Sequence, residues 1–344
     1  MLSFLSLLLV AGSANAWFRL PCTLPLVQER LDPIEQPSVN PSKHVHTVHG
    51  GSNFAADSTY QTMRESRCTS CQVGQDLSNY WFPKLYFRDP QTGLFESVAN
   101  GGLLIYYQNR GSMDVANGGP GLKAFPEGFR MITGDPTKRS FPYVQLSSTP
   151  SFPPGLGTQA ELAESAIAWL CLRYTTSNPD YGGTGGFPTT DCEAGFQSRL
   201  HFPACWDGVL DNGDCPSTHP VGLMKLFYEI TWNIHDFVGR WNESDGWPDP
   251  TGYGWHGDFQ NGWDVEALQD AIDNCNNPDN DTINGVFTAC SVFDIISADT
   301  TNECRIAAVV DEATEGTLAK LPGCNPLQYG PGDATMYTDA ECPS

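Results

Sequence analysis

The run Leu226-Phe227-Tyr228-Glu229-Ile230-Thr231-Trp232 alternates apolar and mixed positions. Successive side chains of a strand point to opposite faces. One face then carries Leu226, Tyr228, Ile230 and Trp232, and the other Phe227, Glu229 and Thr231 after Lys225. Aromatic and β-branched runs at residues 80–87, 103–107 and 129–133 predict further strands. In the first, alternation groups Tyr80, Phe82, Lys84, Tyr86 and Arg88 on one face, a pattern expected of a glycan platform. If residues 43–51 are extended, His44 and His46 share a face and His49 lies on the other.

Helical signals are fewer. Thr158 and Glu161 form a capping-box pattern ahead of an alanine-rich run to Leu172, although residues 166–172 also alternate as a strand does. Asp264 precedes Val265, Leu268 and Ile272 at helical spacing and is read as an N-cap. Residues 147–155 and 181–187 read as loops. With 34 glycines and 26 prolines, breakers keep elements short. The expected fold is mainly β, a single sandwich or jelly-roll domain with a few short helices.

Composition adds the compartment. Residues 1–16 read as a signal peptide: a short apolar run, too short for a membrane span, then Ala14-Asn15-Ala16. All 12 cysteines follow it, which predicts a disulfide-stapled, secreted, extracellular protein. Asn242 and Asn280 are glycosylation acceptors. Residues 17–290 are expected as the main domain. Residues 291–344 are read as a cysteine-containing extension packed on it. The net charge of −22 argues against nucleic acid and anionic membrane as partners. A monomer is expected.

The richest chemistry lies in Gly254-Trp255-His256-Gly257-Asp258-Phe259-Gln260-Asn261-Gly262-Trp263-Asp264. It brings a histidine, two carboxylates and two tryptophans together between glycines. Asp258 is a candidate base or nucleophile oriented by His256, and Asp264 is explained as a cap. Asp207, beside Trp206, and Glu229, on the mixed face of its strand, are the other candidate acids. Burial would raise such a carboxyl toward the range of a general acid. Tyr107, Arg110, Arg130, Trp255 and Trp263, with His44, His46, His201 and His219, are expected to bind sugar hydroxyls and ring faces. The His44/His46 pair also suits a metal, with His219 or His256 as a third ligand. The sequence leaves that metal undecided, and no cofactor is expected.

The motifs HVHTVHGGSNF, CTSC with SNYWFPKLYF, LLIYYQNRG, GFRMITGDP, LHFPACWDG, CPSTHP with LFYEITW, and GYGWHGDFQNGWD occur in order. Together they resemble a secreted fungal family, the domain of unknown function numbered nineteen-ninety-six. Lys43 stands where that resemblance leads one to expect an aspartate. The resemblance implies cell-wall or lignocellulose biology and supplies no reaction. The function expected first is a glycoside hydrolase acting on an extracellular polysaccharide by carboxylate acid/base catalysis. The alternatives are a non-catalytic glycan-binding cell-wall protein, a polysaccharide lyase and a His-ligated metalloenzyme.

Overall fold

The computed structural model describes residues 16–108, 121–141, 159–174, 183–184, 187, 191–204, 221–240, 251–275 and 285–343. The signal segment, both glycosylation acceptors, Thr158 and the loop at 147–155 lie outside them. The strands, in chain order, are β1 (Ala16–Cys22), β2 (Val27–Glu29), β3 (His46–Gly50), β4 (Asn79–Pro83), β5 (Tyr86–Arg88), β6 (Phe95–Ser97), β7 (Asn100–Gln108), β8 (Arg130–Gly134), β9 (Ile167–Cys171), β10 (Gly183–Thr184), β11 (Phe196–His201), β12 (Lys225–Trp232), β13 (His256–Gln260), β14 (Gly285–Val286) and β15 (Thr317–Leu318).

Two sheets form a sandwich. One runs β10-β9-β11-β12-β7-β1-β14 and the other β2-β3-β4-β13-β8; a small third sheet is β15-β6-β5. Leu226, Tyr228, Ile230 and Trp232 of β12 face the second sheet, as their alternation predicts. Tyr228 packs on Tyr80 at 5.9 Å and Trp232 on Phe82 at 5.9 Å. The Tyr228 hydroxyl donates to the Asp258 carbonyl at 2.9 Å, so β12 and β13 meet across the core.

The second sheet is buried on both faces along β3, β4 and β13, whereas Arg130 and Ile132 on the outer face of its edge strand β8 are exposed. The sheet's outer face carries Val48 and Trp81, neighbours in register across β3 and β4. Leu26, Leu31, Phe54 and Cys304 cover them. The cover thus mixes an early segment with the C-terminal tail. Cys68–Cys304 ties the two together, and Cys324–Cys342 closes a loop within the tail. All ten cysteines among the described residues are paired.

Three expectations are corrected. Residues 80–88 do not form one strand, because the chain leaves β4 at Pro83 and re-enters a strand at Tyr86. Tyr80 and Phe82 are fully buried core rather than a glycan platform. The helix Gln159–Ser165 ends early, and β9 takes the alternating residues after it. Cross-strand pairing with β11 decides that choice. The Asp264 cap is present: its carboxylate accepts from the Ala267 amide at 3.0 Å, ahead of the helix Val265–Asn274.

A polar chain crosses the core. Trp263 Nε1 donates to the Tyr107 hydroxyl at 2.7 Å. That hydroxyl meets the Tyr80 hydroxyl at 2.7 Å, and Tyr80 donates to Asp76. Burial, opposed by hydrogen bonds from Ser78 and Tyr80, pushes the Asp76 carboxyl from 3.8 up to about 6. The folded state therefore holds this proton more tightly than the unfolded chain does. Its contribution to stability is complete below pH 3.8 and is lost as pH rises through about 6. The difference corresponds to about 3 kcal/mol. Denaturant unfolding of Asp76→Asn, followed across this interval, is expected to lack that decline. An unchanged decline would place the proton elsewhere.

Candidate metal centre

His46 lies on the outer face of β3, and His256 opens β13 on the outer face of the same sheet. The strand between them, β4, sets their spacing, since it pairs with both. His44 precedes β3 by two residues and turns to the same side. Its Nε2 lies 3.0 Å from His256 Nε2, and His46 Nε2 lies 3.4 Å from the same atom. The three ligand-capable nitrogens all fall within 4.8 Å of one another. Metal–nitrogen bonds of about 2.0–2.1 Å at tetrahedral angles put neighbouring ligand nitrogens roughly 3.3 Å apart.

Hydrogen bonding selects the ligating tautomer. His46 Nδ1 donates to the Leu31 carbonyl at 2.9 Å, and His256 Nδ1 to the Gly254 carbonyl at 3.2 Å. Each Nε2 then carries a lone pair, and the two lone pairs face one another. That contact is repulsive until a cation sits between them. Backbone carbonyls orienting the rings are the usual second layer of a histidine metal site. Burial, then the neighbouring imidazoles, lowers the pKa of His44 well below its usual value. Burial followed by His46 takes His256 down to about 4. Burial also lowers His46, against the pull of Asp32. All three rings are therefore neutral, ligand-competent imidazoles near neutral pH. Asp32, itself buried, accepts from the Ile34 and Glu35 amides at 3.0 Å.

A cavity of about 130 Å³ opens beside His44 and His256, lined also by Lys84, Tyr86, Arg139 and Trp255. Three imidazole nitrogens with a void beside His44 and His256 leave room for a fourth ligand; histidine zinc sites with an open position are catalytic, whereas structural sites close all four.

The other candidates are placed as follows. Asp258 shares the outer face of β13 with His256 but is 1% exposed, and neither carboxylate oxygen has a hydrogen-bond partner among the described residues. Burial, then the charges of Asp32 and Glu35, raises its pKa well above the ordinary carboxylate value. Trp81, opposite it in register, has an equally unpartnered indole N–H. Glu229 lies on the outer face of the other sheet. It pairs with Arg199 at 2.7 Å and accepts from the Tyr106 hydroxyl at 2.6 Å. The two carboxyl groups therefore point away from each other across a sandwich whose sheets stand about 10 Å apart. Acid/base partners at one glycosidic bond lie within roughly 5–9.5 Å. This geometry overturns the pairing of Asp258 with Glu229.

His201 shares the Glu229 face, its ring stacked on Phe227 at 4.2 Å, on the other sheet from the trihistidine cluster. Tyr107 and Trp263 are fully buried and bonded to each other, so neither meets a polysaccharide. Arg130 donates to the Pro33 and Ser58 carbonyls and ties the cover down. Trp255 does reach the cavity wall. Asp207, Arg110 and His219 lie outside the described residues. Sequence reasoning missed Arg139 and the whole C-terminal side of the cavity, neither of which carries a motif.

Glu229→Gln is expected to cost about 1–2 kcal/mol through the weakened Arg199 pair, which is partly exposed. Metal binding should stay unchanged. Calorimetry on the variant checks both, and lost metal binding would contradict the separation of the two faces.

The chain belongs to the family described as a domain of unknown function, DUF1996, whose model matches residues 32–263. All three histidines fall inside that span. No curated protein and no solved structure matches the chain.

Proposed function

We propose that this chain is a secreted, carbohydrate-active metalloprotein whose His44/His46/His256 centre binds one divalent transition metal and offers it to a glycan. The observation that carries this reading is the convergence of three Nε2 atoms, two with their Nδ1 hydrogens already committed to backbone carbonyls. Zinc and copper both suit neutral imidazole ligands. A bound metal would supply Lewis acidity at the cavity. The protein's part is to hold three neutral donors in place and keep a dry wall behind them. Trp255 and Tyr86, both almost fully buried, contribute only their edges to the cavity wall. A polysaccharide remains the expected partner; of the carboxylate pairs, only Asp258 with Glu229 is set aside, since Asp207 lies outside the described residues.

The test is elemental analysis of protein purified without chelator, followed by a polysaccharide panel run with and without metal. One equivalent of zinc or copper, with glycan cleavage abolished by chelation and restored by metal, supports the proposal. Protein that takes up no metal at any loading removes it. Metal-dependent retention of a glycan without cleavage would assign the non-catalytic, glycan-binding form of the same site.

A further inference from the structure

The cavity beside the histidines has one wall that lies outside the family's matched span. Pro322, Asn325, Gln328, Thr335 and Met336 line it, whereas the matched span ends at residue 263. This wall is anchored on both sides of the centre. The Asn325 amide donates to the carbonyl of Lys43, next to His44, at 2.8 Å. Arg139 Nε donates to the Gln328 carbonyl at 3.0 Å, and the Ala334 amide to the Thr137 carbonyl at 2.7 Å. The base is held by the buried Arg30 guanidinium, which pairs with Glu312 at 2.6 Å and Asp339 at 2.9 Å. Cys324–Cys342 closes the segment into a loop. Anchors to the residues flanking the cavity, with space left between wall and histidines, are what a covering wall requires. Packing alone would have filled that space.

We propose that residues 321–336 form an access wall of the trihistidine centre, limiting the approach of bulky ligands to a bound metal while leaving room for a small one. The space between the wall and the histidines is a cavity of about 130 Å³ that is partly open to solvent. The inference rests on the metal-binding reading above.

Metal-loaded wild type is compared with Cys324→Ser/Cys342→Ser, which frees the loop, and with Gly330→Ala. Gly330 has φ +77°, and a Cβ there would meet the Arg139 Cβ at 2.8 Å and its carbonyl oxygen at 2.9 Å. That variant therefore lifts the wall with its disulfide intact. The readouts are metal stoichiometry, the rate of metal release to EDTA, and binding of azide as a small probe. The expected result is unchanged stoichiometry and azide affinity, with release to EDTA faster by about tenfold or more in both variants. Equal release rates at equal stoichiometry in both variants would overturn the wall. Wild type that holds no metal would instead overturn the centre itself, and is recognised by stoichiometry before any rate is measured.

Discussion

His256→Ala is expected to reduce bound metal from one per chain to near zero, with affinity lower by more than about 100-fold. Replacing a group that merely orients a ligand already costs about 10–100-fold, and His256 is the ring that the other two approach, at 3.0 and 3.4 Å. Two histidines left on one side of a cavity cannot satisfy a tetrahedral ion. Any metal-dependent activity should fall with the metal. His201→Ala is the control, because that ring stacks on Phe227 on the far face of the sandwich. Elemental analysis and titration calorimetry on the two variants decide the matter. Metal retained in full by His256→Ala would show that the histidines cluster for another reason.

The second large effect concerns the cover over that site. Cys68–Cys304 spans 236 residues, against 15 for Cys275–Cys290. Cross-linking restricts the unfolded chain more as the closed loop lengthens, and by loop entropy the two bridges differ by about 2 kcal/mol. Cys68→Ser/Cys304→Ser is therefore expected to lose about 5 kcal/mol, and Cys275→Ser/Cys290→Ser about 3 kcal/mol. The long bridge also places Cys304 in the cluster with Leu26, Val48 and Trp81, and Val48 and Trp81 share the outer face that carries the histidines. Its loss should weaken metal binding as well as stability, whereas loss of the short bridge should affect stability alone. Denaturant melts and metal titrations of both double variants check this order. Equal destabilisation would mean that the other bridges already constrain the same chain.

Local pattern carried far in this chain wherever the physics is local. The alternation of β12 predicted which of its side chains enter the core, because pleat geometry fixes that assignment within the strand. The Asp264 cap needed only a short side chain ahead of an apolar helical repeat. The placing of His46 and His49 on opposite faces followed from the same pleat. The readings that failed depended on partners distant in sequence. Glu229 and Asp258 each looked like a cleft carboxylate, yet each points out of its own sheet, on opposite sides of the sandwich. Tyr107 and Trp263 looked like sugar-binding groups, but they complete a buried hydrogen-bond chain with Tyr80 and Asp76. Nothing within a few residues of them announces that chain.

By itself, the sequence determined the β-rich class, the disulfide chemistry, the faces of individual strands and the HxH pair. These follow from side-chain periodicity, cysteine count and spacing, which act over a few residues or over the whole composition. Only the tertiary structure decided that His256, 210 residues from His46, completes the cluster. It alone placed the tail from residue 321 onward across from that cluster. The reason is strand order: β3 and β13 meet only because β4 pairs with both, and such long-range pairing is set by the packing of the whole sandwich.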